Sequence, residues 1–207
     1  DVRIAKRVAE ELGYDIEIVK TEWDGLVPSL LSGNIDVIIA GMSPTAERMA
    51  TIDFTDPYYE SELVIVVRKD GAYANAASLA DFAGAKITGQ LNTFHYTVID
   101  QIPDVQKQTA MDTFPTMVVA LTSGVIDGYI SERPGAESAV ATNPDLTYVE
   151  FADGQGFETD PADTSIAIGV AKGSELTAQI NEALATISAE EREQIMLDVL
   201  AAQPSAE

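Results

Sequence analysis

The chain has 207 residues, of which 46% are hydrophobic and 22% charged, so it can bury a core and its composition excludes disorder as the main state. Lys and Arg number 12 and Asp and Glu 34, and the net charge of −22 excludes nucleic acid as an expected partner because that field repels phosphate. The absence of Cys excludes disulfides, thiol nucleophiles and Cys-ligated metals, and a single His leaves little for His-based metal chemistry. The apolar runs are far shorter than a bilayer span.

The first predicted element is a helix that ends at Gly13, with Ile4, Val8 and Leu12 on one apolar stripe. No initiator Met or signal segment precedes this helix, so we interpret residue 1 as a processed, trimmed or truncated end.

Strands and helices alternate along the rest of the chain. The predicted strands are 15–19, 36–40, 63–68, 86–90, 107–111, 126–130, 146–151 and 166–170. The predicted helices are a short one capped by Asp24 and ended by Gly33, one capped by Thr45, then 79–82, 94–101, 114–123 and 136–142, and two that close the chain. The apolar run at 37–40 is typical of a strand buried on both faces of a parallel sheet.

A short pattern occurs twice, as LLSGNID at 30–36 and LTSGVID at 121–127. Each copy ends a helix, turns at a Gly and begins a buried strand that leads into a Pro-containing loop. The copies lie too far apart for a solenoid repeat, so they indicate two similar α/β halves, with chance resemblance as the alternative.

Ligands of open parallel sheets bind at the carboxyl ends of the strands, which selects the loops 41–48, 92–95 and 131–135. The first loop offers the backbone of Gly41, the hydroxyls of Ser43 and Thr45, and Arg48 in the first turn of a helix, a combination that suits a carboxylate. The third loop presents Glu132, which suits an ammonium group. One site for each charge predicts a cleft for a zwitterion.

The segments GMSPTAER at 41–48 and IDFTDPYY at 52–59 resemble the signature of the amino-acid-binding solute receptors of ABC importers. These receptors are the bacterial extracellular solute-binding proteins of family 3 and have the type II periplasmic-binding-protein fold. The segments WDGLVP at 23–28 and IGVAKGS at 168–174 also fit, and the resemblance covers essentially the whole chain.

The resemblance implies an α/β fold with two similar lobes, each a mostly parallel sheet flanked by helices, joined by a two-strand hinge with the ligand cleft between the lobes. The hinge strands are expected near 64–69 and 166–171. The implied domains are 1–66 and 168–207 for the first lobe and 67–167 for the second. The family's first strand is expected before residue 1 and is absent from this chain.

By the same resemblance, Arg48 binds the α-carboxylate of the ligand, and the α-ammonium is received by the Gly41 carbonyl, Ser43 and Glu132. Trp23 packs on the ligand side chain. The remaining candidate ligand-binding residues are Met42, Thr45, Gln90, Thr93 and Phe94. Family members often have Asp where Glu132 stands and Gly where Asn92 stands, so both loops depart from the pattern.

Each candidate also has a structural alternative. Arg48 could be a solvated helix-start residue, Glu132 ordinary surface, Trp23 part of the core, and Thr93 only a helix cap. His95 is expected on the surface of its helix or behind the ligand contacts, and Tyr58 and Tyr59 are expected to pack the lobe or hinge.

Three classes of function remain open. The first is an extracellular or periplasmic receptor, lipid-anchored or free, that captures a free α-amino acid and delivers it to an ABC permease. Such a receptor is expected to be a monomer and to need no cofactor or metal. The second is the sensor domain of a membrane receptor, which would share the site but continue beyond the polar tail at 201–207 into a membrane or signalling segment. The third is an enzyme resembling cyclohexadienyl dehydratase, which would need a general acid, and Glu132 is already assigned to the ammonium.

Overall fold

The computed structural model describes residues 1–202, and the chain divides into two compact units. The first unit combines Asp1–Glu60 with Pro161–Asp198, and the second is built around Ser61–Asp160. The chain passes from the first unit to the second after residue 60 and returns after residue 160, in each case a few residues before the lobe boundary implied above. The first boundary is earlier because the strand at 63–68 pairs along its length inside the second unit. The hinge and lobe boundaries stay predictions, and the last five residues of the implied first lobe, 203–207, lie outside the described part of the chain.

The helices are α1 (Val2–Leu12), α2 (Leu26–Leu31), α3 (Ala46–Met49), α4 (Phe94–Thr97), α5 (Phe114–Thr122), α6 (Arg133–Thr142), α7 (Pro161–Thr164), α8 (Leu176–Ala185) and α9 (Ala189–Ala201). The strands are β1 (Val37–Ile38), β2 (Asp53–Phe54), β3 (Tyr59–Glu60), β4 (Leu63–Arg68), β5 (Lys86–Thr88), β6 (Gln106–Lys107), β7 (Gly128–Glu132), β8 (Leu146–Val149), β9 (Ser165–Ile166) and β10 (Gly169–Val170). Single 3₁₀ turns occupy Trp23–Gly25, Leu79–Phe82 and Val98–Gln101. The mixed α/β class is therefore confirmed.

The strands of the first unit are short and pair antiparallel. β10 lies between β1 and β2 and runs opposite to both, and β3 pairs with β9. The expectation of a mostly parallel sheet is wrong for the described pairings of this unit, because the strand beside β1 is β10, which enters from much later in the chain. Helix α1 packs its apolar stripe, including Ile4 and Val8, against Ile180 and Leu184 of α8.

The predicted strand at 15–19 does not form. Residues 15–21 neither donate nor accept a backbone hydrogen bond among residues 1–202, and the apolar side chains of Ile16, Ile18 and Val19 are exposed. Alternating apolar residues favour a strand, but a strand needs a neighbouring strand to satisfy its N–H and C=O groups.

The second unit has one five-stranded sheet in the order β6-β5-β7-β4-β8. β5 runs parallel to β6 and β7, whereas β4 is antiparallel to β7 and β8, so this sheet is mixed. Both faces of β4 are covered: Ile65 and Val67 pack in one apolar cluster, and Val64 and Val66 pack in another on the opposite face. Burial on both faces explains the continuous apolar run of β4 in the sequence.

Candidate ligand-binding site

The loop after β1 in the first unit carries the candidate residues of the 41–48 segment. Gly41 has a φ of 61°, in the left-handed region where a side chain is strained, so glycine suits the start of this loop. Thr45 caps α3, because its side-chain oxygen accepts a hydrogen bond from the backbone N–H of Arg48 at 3.4 Å. The predicted capped helix is therefore confirmed.

Arg48 is half-buried and held from two directions within this unit. Its Nη1 donates to the Ser43 carbonyl oxygen at 2.9 Å, and its guanidinium carbon lies 5.2 Å from the centre of the Trp23 ring. Trp23 is half-buried and packs on the cluster that contains Leu26 and Ile38. The structure thus brings together Trp23, Ser43, Thr45 and Arg48, and these contacts hold the guanidinium at the end of the loop.

Met42 and Ser43 differ in what they can offer a ligand. The Met42 side chain is buried in the apolar cluster beside Ile38 and Ile52, and its carbonyl accepts from the Ala167 N–H at 3.1 Å. The described contacts of Met42 thus place its side chain in the core and leave its backbone N–H as the polar group it could present. Ser43 is a buried polar residue whose carbonyl supports Arg48.

In the second unit, Gln90 and Thr93 are joined at the end of β5. The Thr93 hydroxyl donates to the Gln90 carbonyl at 2.8 Å and makes no helix-capping bond, while Gln90 Nε2 donates to the Asp112 carbonyl at 3.2 Å. Asn92, between them, has a φ of 57°, and Asn tolerates this left-handed conformation better than other side chains. Gly also adopts this conformation readily, so Asn92 in place of Gly is compatible with the turn.

Helix α4 starts close to the strand that precedes it because residue 89 is a glycine. A Cβ at Gly89 would lie 2.8 Å from the carbonyl oxygen of His95. The close approach brings Phe94 and His95 to the strand end, and their rings are 4.7 Å apart between centres. His95 is only 6% exposed, so the helix-surface alternative is wrong, and a place behind the ligand contacts stays a prediction.

Glu132 is the last residue of β7 and immediately precedes α6, so the predicted loop at 131–135 is replaced by a strand-to-helix junction. Pairing with Leu63 of β4 extends β7 to this point. The Glu132 side chain is 17% exposed, and its Oε1 lies 3.7 Å from His95 Nε2. Both His95 ring nitrogens lack a hydrogen-bond partner among the described residues, so Glu132 is the nearest charge that the described contacts give them.

The sequence reasoning missed the aromatic surroundings of this pair. The Phe114 ring lies 6.2 Å from the His95 ring and 6.1 Å from the Tyr129 ring. Burial raises the pKa of the Tyr129 phenol, which keeps it neutral. Phe114 begins the helix after the predicted strand at 107–111. Because ligands of open parallel sheets bind at the carboxyl ends of the strands, the segment that follows this strand would have selected Phe114.

The two groups of side chains suit opposite charges. A guanidinium with neighbouring hydroxyl and backbone groups suits a carboxylate, and a carboxylate among aromatic rings suits an ammonium. Among residues 1–202, no three His, Asp or Glu side chains are grouped so that they could hold a metal ion, and no helix is long and apolar enough to cross a membrane.

Comparison with known proteins gives consistent matches. The family described as bacterial extracellular solute-binding proteins, family 3, matches residues 1–198. A probable histidine-binding protein of Campylobacter jejuni is 35% identical over 159 residues, 76% of this chain and 61% of that protein, so the chain spans less than two thirds of its length. The ABC transporter arginine-binding protein 1 of Escherichia coli K12 is 31% identical over 92% of this chain and 76% of its own length.

The structural comparison agrees. A crystal structure of an amino acid ABC transporter substrate-binding protein from Streptococcus pneumoniae bound to L-arginine has a TM-score of 0.86, with 26% identity over 99% of this chain and 83% of the other. The match of the family to residues 1–198 covers both compact units. The chain belongs to the bacterial extracellular solute-binding proteins of family 3.

Proposed function

We propose that this protein is the receptor of an ABC importer that captures a free α-amino acid and delivers it to the permease. Family membership supports ligand binding rather than a dehydratase activity. The relatives named above are described as amino-acid-binding proteins or as substrate-binding proteins of ABC transporters. The observation that carries the proposal is Arg48, held over Trp23 and on the Ser43 carbonyl at the end of a strand. The protein acts as a monomer outside the cytoplasmic membrane, either lipid-anchored or in a periplasm.

In this proposal, Arg48 binds the α-carboxylate together with Ser43 and Thr45, while the backbone amides of Thr93 and Phe94 add donors from the second unit. Glu132 receives the α-ammonium, and Trp23 contacts the ligand side chain. The ligand favours closure of the two lobes because it gains the contacts of both groups only in the closed state. A net charge of −22 favours encounter with cationic ligands over anionic ones, which supports testing L-arginine first, and L-histidine is tested beside it because one relative is named a probable histidine-binding protein.

The first test is calorimetric titration of the common L-amino acids into the full chain and into the Arg48→Ala variant. We expect one or a few amino acids to bind, and Arg48→Ala to weaken that binding about 10²–10⁴-fold, because a charged group of the ligand loses its partner. Arg3→Ala is the matched control, since Arg3 pairs with Asp198 on an exposed surface. A loss below about fivefold for Arg48→Ala would contradict the carboxylate assignment.

The second test addresses Glu132. We expect Glu132→Gln to weaken binding of the amino acid by about 1.5–3 kcal/mol and to affect its des-amino analogue much less, because variant and analogue remove the same charge-assisted contact from opposite sides. If the two losses simply add, another group binds the ammonium.

A further inference from the structure

His95 is a buried side chain that carries two unpartnered polar atoms. The side chain is 8% exposed, and both ring nitrogens lie out of contact with solvent and make no hydrogen bond among residues 1–202. Buried polar groups in folded proteins are almost always hydrogen-bonded, because an unpaired group keeps the cost of leaving water without a compensating bond. An imidazole in this state beside a candidate ligand-binding carboxylate points to a role in that site.

The backbone and two aromatic rings fix the position of the imidazole. A Cβ at Gly89 would lie 2.8 Å from the His95 carbonyl oxygen, so glycine at this position lets α4 approach β5 closely. The Phe94 ring lies 4.7 Å from the imidazole, and the Phe114 ring lies edge-on at 6.2 Å, both measured between ring centres. The imidazole is therefore held in place by groups of its own unit.

Glu132 is the more flexible member of the pair, since a Glu side chain has many rotamers to lose when it is ordered. Its Oε1 lies 3.7 Å from His95 Nε2, so a movement of about 0.5–1 Å would form a hydrogen bond. Glu132 is the one acidic side chain paired with His95 among residues 1–202. The Tyr129 phenol, whose ring contacts Phe114, adds no second negative charge because burial raises its pKa.

The position of the imidazole proton decides what this pair can do. A neutral imidazole has one N–H donor and one lone pair, and the hydrogen bond made by one nitrogen sets the tautomer. With the proton on Nε2, His95 presents a donor to Glu132, whereas with the proton on Nδ1 a lone pair would face the carboxylate. A carboxylate that accepts this bond at Oε1 keeps its charge and has Oε2 free for a second donor.

We infer that His95 is a positioning residue of the ammonium site: its Nε2–H donates to Glu132 Oε1 and orients the carboxylate so that Oε2 receives the α-ammonium of the ligand. This inference rests on the proposed function, in which Glu132 binds the ammonium. A carboxylate that is oriented before the ligand arrives loses less conformational entropy on binding. The effect of His95 is therefore confined to ligands that carry the ammonium.

Three variants of the full chain separate the donor from the packing of the ring. The amide nitrogen of Gln can take the place of Nε2 and that of Asn the place of Nδ1, while Leu fills the volume without a donor. Calorimetry measures the binding of L-arginine. We expect His95→Leu and His95→Asn to weaken binding about tenfold, and His95→Gln to stay within about threefold of the unmodified chain.

Two further measurements show whether the loss acts through Glu132. Des-amino arginine lacks the ammonium, so we expect His95→Leu to leave its binding unchanged. In the Glu132→Gln background, His95→Leu should cause no further loss of L-arginine binding, because both changes remove the same contact. Urea unfolding should show that His95→Leu is at least as stable as the unmodified chain, since it removes an unpaired buried polar group.

The single His of the chain also allows a measurement without ligand. Nuclear magnetic resonance of the chain with a ¹⁵N-labelled imidazole, at about pH 8 where histidine is ordinarily neutral, identifies the protonated nitrogen. We expect Nε2–H in the unmodified chain and a rise of the Nδ1–H form in Glu132→Leu, which has no acceptor.

The Nδ1–H form in the unmodified chain would overturn the inference, as would binding by His95→Gln as weak as by His95→Leu. Equal losses for L-arginine and its des-amino analogue would also overturn it, because they would indicate a packing role. If no common amino acid binds the unmodified chain, the proposed function fails and the ligand role of His95 fails with it, while the tautomer reports separately on the bond to Glu132.

Discussion

The helix-ending turns at 28–36 and 119–127 fold alike in the two units. Gly33 and Gly124 have φ values of 73° and 77°, and each donates its N–H to the residue three positions earlier at 3.1 Å. The following residues, Asn34 and Val125, donate to the Ser29 and Ala120 carbonyls at 3.0 and 2.9 Å. The repeated pattern in the sequence therefore specifies one local structure twice.

The two turns lead into different strands. After the first turn, β1 pairs only with β10 among the described residues, whereas after the second turn β7 lies between β4 and β5 and is longer. Asp127 accepts from the Lys86 N–H at 3.0 Å and pairs with Arg68 at 3.1 Å, but Asp36 makes no such bond within residues 1–202. The comparison teaches that a short pattern decides the turn, while the partners that flank the strand decide how far it extends.

The largest difference between the two turns is expected from their isoleucines. Ile126 is fully buried and Ile35 is half-buried, so Ile126→Ala should lower the free energy of unfolding by about 2–5 kcal/mol, and Ile35→Ala by clearly less. Urea unfolding followed by far-UV circular dichroism measures both. Trp23 is the single Trp, so its fluorescence reports on the first unit alone. Ile126→Ala should therefore shift the unfolding curve followed by circular dichroism more than the curve followed by Trp fluorescence.

Equal losses from both isoleucine variants would contradict the comparison, because they would mean that burial after the turn is the same in the two units.

The second-largest difference in the free energy of unfolding is expected from the aspartates that follow the two turns. Asp127→Ala removes the acceptor of the Lys86 N–H and of Nη2 of Arg68, so we expect a loss of about 1–3 kcal/mol in the free energy of unfolding. Asp36→Ala, at the matching position, should change it by less than about 0.5 kcal/mol. The variant Arg68→Ala serves as the partner test, since Arg68 also donates to the Leu121 and Ile126 carbonyls at 2.7 Å. Additive losses for Asp127→Ala and Arg68→Ala would show that the pair does not stabilise this turn.

The glycines should behave alike. Gly33→Ala and Gly124→Ala each force a side chain into the left-handed region, at about 1–2 kcal/mol, and an added Cβ at either position meets nothing within 4 Å. The corresponding Asn variants should lose less, because Asn tolerates this conformation. The midpoint of urea unfolding measures all four variants, and losses that differ widely between Gly33→Ala and Gly124→Ala would break the equivalence of the two turns.

The smallest effect is expected from acid, at one carboxylate in each unit, half-buried Asp53 and exposed Asp81. The N–H of Ala77, with the N–H and hydroxyl of Ser78, holds the pKa of Asp81 below its usual value. The N–H of Gly173 and the ammonium of Lys172 lower the pKa of Asp53. Both contributions are therefore complete above the unfolded pKa of about 3.9 and are lost as the pH falls through the folded pKa.

Carboxyl carbon shifts in a titration by nuclear magnetic resonance should show both depressed pKa values, and Asp81→Asn and Asp53→Asn should each remove part of the acid dependence of stability. The Asp81 contacts are local, whereas Asp53 bonds to Gly173, 120 residues further along the chain. We therefore expect mild urea to raise the Asp53 pKa first, and a simultaneous rise would contradict this difference.

Much of the candidate site followed from the sequence because its residues share one loop. Ser43, Thr45 and Arg48 are neighbours along the chain, and the cap of Thr45 on α3 is a local hydrogen bond. The contact of Arg48 with Trp23 and the approach of His95 to Glu132 join residues far apart in the chain. No local pattern contains those contacts, which is why the sequence left His95 open between the helix surface and a place behind the ligand contacts, and why Phe114 was overlooked.

Patterns in the sequence predicted the helix ends at Gly13, Gly33 and Gly124, the strand Leu63–Arg68 and the family, because each depends on neighbouring residues or on a contiguous motif. Contacts between distant segments set the strand order, the antiparallel pairing of β1 and the failure of 15–19 to form a strand. A helix satisfies its own backbone within a few residues, but a strand depends on hydrogen bonds to a distant segment, and the presence of that segment is a property of the folded chain.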